Sequence, residues 1–254
     1  MIIDTHAHLN MDQFEHDLET VIKRSNELGV GKIIVIGMDD FHNQRAIEIA
    51  EKHEHIYAAV GVHPVDIHKA DVKDIIPLLK HPKVVAVGET GIDLYWNKDN
   101  LEAQKLAFRK QIKLAIEYDL PIIIHTRDSF FEAYETIKPF KGKIKGVFHS
   151  FSAGLKEARM AIDLGFYIGI GGVVTFPKAT TVHELAKEIP LEHMLVETDS
   201  PFLTPVPYRG KRNEPGYTKY VVDEIAKIKQ IDPNIVAEVT TMNANKLFRL
   251  EPST

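Results

Sequence analysis

The sequence predicts an α/β chain folded as one (β/α)8 barrel. Three observations carry this reading. Short β-branched apolar runs recur along the chain with amphipathic segments between them, the mark of βα units on a parallel sheet. Eight such units fill 254 residues, the usual size of a closed eight-stranded barrel. An open doubly wound sheet normally uses five or six strands. No Pro/Gly/Ser linker, internal repeat or low-complexity tract divides the chain, so residues 1–254 are expected to form one domain.

Taken in order, the first strand is expected at Met1–Thr5, followed by a helix near Phe14–Leu28. The second unit pairs Lys32–Ile36 with Asn43–Lys52, and the third pairs Ile56–Val60 with Lys73–Leu79. Val84–Val87 then leads to Leu101–Tyr118, the clearest helix, where Ala103, Leu106, Ala107, Leu114 and Ala115 fall at helical spacing. The fifth and sixth units are Pro121–Ile124 with Phe130–Lys138 and Gly146–Phe148 with Leu155–Leu164. Phe166–Ile170 with Thr181–Glu188 and Met194–Val196 with Lys219–Ile228 complete the set, and a last helix is expected near Pro233–Leu247.

Composition narrows the function. Hydrophobic residues make up 44% and charged residues 26%, which excludes a disordered chain or a fibre. No apolar run approaches the roughly 18 residues that span a bilayer, and the N-terminus lacks the basic region and apolar core of a secretory signal. Cysteine is absent, which removes disulfides, a thiolate nucleophile and a cysteine zinc site. A cytoplasmic setting is expected. The net charge of −5 is not that of a polycation. A polyanionic substrate would need a local basic patch or metal ions.

In such a barrel the chemistry sits where strands end. Those exits read Thr5-His6-Ala7-His8, Gly61-Val62-His63-Pro64, Gly88-Glu89-Thr90-Gly91-Ile92-Asp93, His125-Thr126-Arg127-Asp128, His149-Ser150-Phe151-Ser152 and Glu197-Thr198-Asp199-Ser200-Pro201. Five of thirteen histidines gather there; the others lie in polar helix or loop contexts. Strand side chains alternate, so His6 and His8 point the same way. Glu89, His125, His149 and Asp199 arrive from other strands at the same rim. Four imidazoles and two carboxylates exceed the needs of one tetrahedral cation and suit two cations with a bridging carboxylate.

Each piece alone is weak. A His-x-His pair is common without metal, and Glu89 or Asp199 could cap the helix that follows. Structural accidents would scatter between the two rims, whereas all six gather on one. His183-Glu184-Leu185-Ala186-Lys187 lacks the second histidine of a zincin helix. Gly29-Val30-Gly31-Lys32 lacks the spacing of a P-loop, and Gly169-Ile170-Gly171-Gly172 reads as close backbone packing.

These exits, in this order, make the sequence similar to the TatD family of metal-dependent hydrolases, from residue 1 to Asn243-Ala244-Asn245-Lys246-Leu247-Phe248. The resemblance implies a TIM barrel of the amidohydrolase type, a two-metal site and deoxyribonuclease activity. It implies that His6, His8 and Asp199 hold one metal, that His125 and His149 hold the second, and that Glu89 bridges. Ile92 stands where relatives often have Leu, and Ala153 where Gly is common; neither removes a ligand.

With no cysteine and no Gly-x-Ser-x-Gly elbow, the expected nucleophile is water activated by the metals, with Asp199 as proton acceptor and Glu89 as bridging ligand. Glu197 and Asp4 are either groups that orient ligand histidines or buried structural carboxylates. Expected substrate contacts are His63, Arg127, Tyr208, Arg209, Lys211 and Arg212, with Phe202 and Tyr208 as base-stacking rings. The expected partner is DNA, single-stranded or with frayed ends, bound to a monomer and cleaved from an end. The residues admit zinc, iron, nickel, manganese or magnesium. An alternative is an amidohydrolase acting on an amide, lactone or aminoacyl ester, which would have no use for the Arg209-Gly210-Lys211-Arg212 cluster. A non-catalytic metal-binding protein would have no use for Asp199 beside an open coordination position.

Overall fold

The computed structural model describes residues 1–96 and 98–250; Asn97 and positions 251–254 of the expected domain lie outside the described residues. Eight strands run β1 (Ile2–Ala7), β2 (Val30–Ile36), β3 (Ile56–Val60), β4 (Val84–Asp93), β5 (Ile122–Arg127), β6 (Gly146–Phe148), β7 (Phe166–Ile170) and β8 (Met194–Val196). They pair in parallel and in sequence order. Ala7 bridges Ser200, and the Thr5 hydroxyl donates to the Val196 carbonyl at 3.0 Å, so the last strand closes onto the first. The architecture is the (β/α)8 TIM barrel.

Helices α1 (Leu18–Glu27), α2 (Asp40–Lys52), α3 (Leu101–Glu117), α4 (Phe130–Ile137), α5 (Leu155–Asp163), α6 (Thr180–Glu188), α7 (Thr218–Lys229) and α8 (Pro233–Phe248) accompany the strands. Covered by helices outside and side chains inside, the strands are buried almost throughout, as a parallel sheet requires. Inward residues alternate. Ile123, Val147 and Leu195 belong to the interior cluster, and two positions further along the chain stand His125, His149 and Glu197. One face therefore supplies an apolar floor and then a polar rim. Helix α8 closes the opposite end: Ala244, Leu247 and Phe248 join the interior cluster, and Asn243 donates to Met194 O at the start of β8.

Three of the expected helices change. The third connection is a 3-10 segment, Val72–Lys80, because Pro77 inside it has no N–H to give an α-helical ladder. The first helix starts at Leu18, after a short 3-10 turn at Asp12–Phe14. Helix α3 buries Gln104, Phe108, Gln111, Ile112 and Ala115, leaving Leu106 55% exposed. The apolar stripe read from sequence is thus rotated, and two carboxamides lie on the inner face.

Both carboxamides bind backbone at the rim. Gln111 accepts from Val62 N at 2.8 Å and donates to Val62 O at 3.0 Å. Gln104 does the same for Asp93 N and O, and Asn43 of α2 for Gly61 N and O. Each amide satisfies a donor and an acceptor where a strand runs out of partners. Gly61 also passes against β4, where an added Cβ would sit 2.7 Å from the Gly88 carbonyl carbon. Backbone cannot yield there as a side-chain tip can. Gly61→Ala is therefore expected to destabilise the fold by about 1–3 kcal/mol, the range for forced overpacking; urea unfolding monitored by circular dichroism measures it, and an unchanged midpoint would show that β4 can shift.

Candidate metal centre

Strand β1 places His6 and His8 on one side of the barrel mouth, with their Nε2 atoms 3.2 Å apart. Glu89 comes from β4. That strand, expected to end at Val87, continues through Gly88 and Glu89 to Asp93, because Gly91, Ile92 and Asp93 pair with His125, Thr126 and Arg127 of β5. His125 stands on β5, His149 just beyond β6 and Asp199 just beyond β8. All six expected ligands meet.

Glu89 divides the group in two. Its Oε2 lies 3.4 Å from His6 Nε2 and 3.6 Å from His8 Nε2, and Asp199 Oδ1 lies 3.6 and 3.3 Å from the same two nitrogens. Its Oε1 lies 2.8 Å from His125 Nδ1, 2.7 Å from His149 Nε2 and 3.5 Å from His63 Nε2. Donors about 2.1 Å from a tetrahedral cation stand about 3.4 Å from one another. The five distances named among His6, His8, Glu89 and Asp199 are close to that spacing. His63, Glu89 and His125 form a second group of donors, and His149, 2.7 Å from Glu89 and 3.2 Å from His125, also groups with His6 and Asp199. Two buried imidazole nitrogens facing each other at 3.2 Å, as in His6 and His8, also need a shared proton or cation between them.

Electrostatics point the same way. Burial alone would raise Glu89, but His149, His63, His6 and the bond from His125 hold it well below the usual carboxylate range. Burial opposes a charge on His149, yet Glu89 and Glu197 raise it well above its ordinary value. Asp199 is likewise lowered against burial by the bond from His8. Burial lowers His6 and His63, each also disfavoured by a neighbouring imidazole. Glu89 and Asp199 are thus kept ionised by the imidazoles around them.

A surrounding layer orients these side chains. Asp93 Oδ2 meets His125 Nε2 at 2.9 Å, fixing the ring so that Nδ1 faces Glu89. The strand-exit motif contains Asp93 but assigns it no role; once β4 extends that far, its period-two relation to Glu89 and Gly91 is the signal. Glu197 accepts from Ser150 N and lies 3.5 Å from His149 Nδ1. An added Cβ on Gly169 would come within 2.6 Å of Glu197 Oε2 and 3.0 Å of His149 Cα, which bears out close backbone packing there. Asp4 accepts from Thr198 Oγ1, Thr198 N and His6 N, and burial pushes it up to about 8 against those donors. It ties β1 to the β8 exit.

The expected substrate contacts separate. His63 lies within the cluster, 3.5 Å from Glu89 Oε1. Arg127 places its guanidinium 3.8 Å over the Tyr95 ring. Arg209 is exposed and lies 3.7 Å over Phe176, and Lys211 is exposed beside Tyr208. Two are otherwise engaged. Arg212 makes paired bonds to Asp17 at 2.9 and 2.6 Å and another to Glu214, so its charge is neutralised within the fold. Tyr208 stacks on Tyr217 with ring centres 4.6 Å apart, which uses a face that a base would need. No helix among the described residues is long and apolar enough to cross a membrane.

Comparison with known proteins adds independent findings. A family model described as TatD related DNase matches residues 3–249. An uncharacterized metal-dependent hydrolase of Bacillus subtilis, YabD, is 45% identical over 98% of this chain and 100% of its own length. The 3'-5' ssDNA/RNA exonuclease TatD of Citrobacter rodentium is 34% identical, with 97% of each chain covered. The crystal structure of YJJV, a TatD homolog from Escherichia coli, superimposes with a TM-score of 0.93 at 32% identity, covering 98% of both chains.

Asp93 provides a direct test of the layer around the site. Asp93→Ala is expected to weaken binding of manganese or zinc by about 10–100-fold, the usual effect of losing a carboxylate behind a ligand histidine. Titration calorimetry measures it; unchanged affinity would show that His125 needs no such support.

Proposed function

The chain belongs to the TatD family of metal-dependent hydrolases, and from that premise we propose that it is a deoxyribonuclease of the exonuclease type, hydrolysing phosphodiester bonds of single-stranded DNA or frayed ends. The observation that carries the reading is the division of donors about the two oxygens of Glu89. Such a pair of sites suits an in-line displacement at phosphorus, where attacking and leaving oxygens both carry charge. The TatD relative of Citrobacter rodentium, named as an exonuclease on single-stranded DNA and RNA, supports the substrate class.

His6, His8, Asp199 and one oxygen of Glu89 would hold one divalent cation; His125, His149 and the other oxygen would hold a second. Zinc, manganese, magnesium or nickel bound there would supply Lewis acidity toward phosphate oxygens and acidify water. Asp199 is the proton acceptor. It is 16% exposed against 3% for Glu89, so it faces the mouth where water enters. As the water oxygen bonds to phosphorus and the bond to the leaving oxygen breaks, the water proton passes to an Asp199 oxygen. His63, whose charged form burial disfavours, contacts the phosphate in this reading. Arg209 and Lys211 on the loop after β8 supply the exposed positive charge that attracts a strand.

Asp199→Asn keeps an oxygen and the shape but cannot take the proton, so kcat should fall by about 10²–10⁴-fold and stay low as metal is raised. His125→Ala should recover in part with added metal. Full activity of Asp199→Asn would remove Asp199 as the base. Replacing Arg209 and Lys211 together with Ala should flatten the salt dependence of DNA binding and harm DNA cleavage more than hydrolysis of bis-p-nitrophenyl phosphate; equal losses on both substrates would make the loop structural.

A further inference from the structure

Among the described residues, the exposed large aromatics are Phe41, Tyr95, Trp96, Phe131 and Phe202. All five stand in the connections or first helical turns after β2, β4, β5 and β8, on the rim that carries the metal centre. Single exposed apolar residues need no explanation, but confinement of these rings to one rim does.

Two groups among them are tied to the ligands. Asp93 holds His125 with one carboxylate oxygen, and its other oxygen accepts from Tyr95 N at 2.9 Å and Trp96 N at 3.0 Å. The same side chain therefore sets both the metal-site imidazole and the aromatic turn. Tyr95 and Trp96 meet edge to face at 5.0 Å, and Arg127 lies 3.8 Å over the Tyr95 ring. Trp96 remains 68% exposed. On the other side, Phe202 is 46% exposed, its ring centre is 6.4 Å from that of His8, and its N–H donates to Asp199 O at 2.9 Å. Strands β4 and β8 are four places apart in a ring of eight, so these groups face each other across the mouth.

We propose that Trp96, backed by Tyr95 and Arg127, and Phe202 opposite form a clamp that stacks unpaired bases on both sides of the scissile phosphate. The clamp rests on the phosphodiesterase reading above and names the rings that would hold the strand at that site. Stacking needs a base with a free face, which single strands offer and duplexes hide. It is sequence-tolerant because every base has one. The Arg127 guanidinium adds a cation beside the ring, where the phosphate that follows a stacked base would lie.

Trp96 is the sole tryptophan, so its fluorescence reports the clamp directly. Titration of the metal-loaded protein with a single-stranded oligothymidylate carrying cleavage-resistant phosphorothioate linkages should quench that fluorescence saturably, and the corresponding duplex should not. Trp96→Ala and Phe202→Ala should each weaken binding of a labelled strand, followed by anisotropy, by roughly 5- to 100-fold, with Trp96→Phe retaining most of the affinity. Saturable anisotropy without a fluorescence change overturns the clamp, as does equal quenching by the duplex. Absence of strand binding while bis-p-nitrophenyl phosphate is still hydrolysed overturns the clamp alone. Loss of both overturns the phosphodiesterase reading and the clamp with it.

Discussion

A buried carboxylate surrounded by imidazoles governs the mouth of this barrel. Glu89 is 3% exposed, and His6, His8, His63, His125 and His149 each approach one of its oxygens within 3.6 Å. Ionised carboxylates are rarely left so dry, since the desolvation must be offset by opposite charge. Protons on the neighbouring imidazoles meet that need in part, which is why His149 is held well above its ordinary value. Divalent cations would meet it more fully, and metal binding would displace those protons.

The remainder of the rim keeps that arrangement from relaxing. Carboxamides from the outer helices take up the loose backbone groups at Gly61, Val62 and Asp93. Asp93 and Asp4 then act one step closer to the site, the first on His125 and the second across the seam between β1 and β8. Asp199 itself has φ 57°, as Asp128 and Ser150 have φ 55° and 44°, all just past strand ends. Left-handed backbone at non-glycine residues is unfavourable and persists where surroundings over-determine it, commonly at functional sites. Position and strain thus come from the same scaffold that forms the core.

Much of this is legible in the sequence because barrels convert short patterns into long-range geometry. An apolar run marks a strand and the residue after it marks the rim, so His6, His8, Glu89, His125, His149 and Asp199 can be gathered without knowing a single distance. What escapes is of two kinds. Gln104 and Gln111 are invisible to hydrophobic periodicity, which counts only apolar residues, whereas the true inner face of α3 mixes both. Arg212 and Tyr208 read as free substrate contacts because their partners are set by folding: Asp17 lies far away in sequence, and Tyr217 approaches only once the loop turns back. Asp93 falls between, visible in the motif but idle until β4 extends to reach it.

Whether Glu89 joins two cation positions is read by anomalous scattering from crystals loaded with manganese or zinc. Two peaks, one among His6, His8 and Asp199 and one beside His125 and His149, with a Glu89 oxygen on each, are the expected result. A single fully occupied position, or two positions with Glu89 bound to neither or to one alone, would contradict the account.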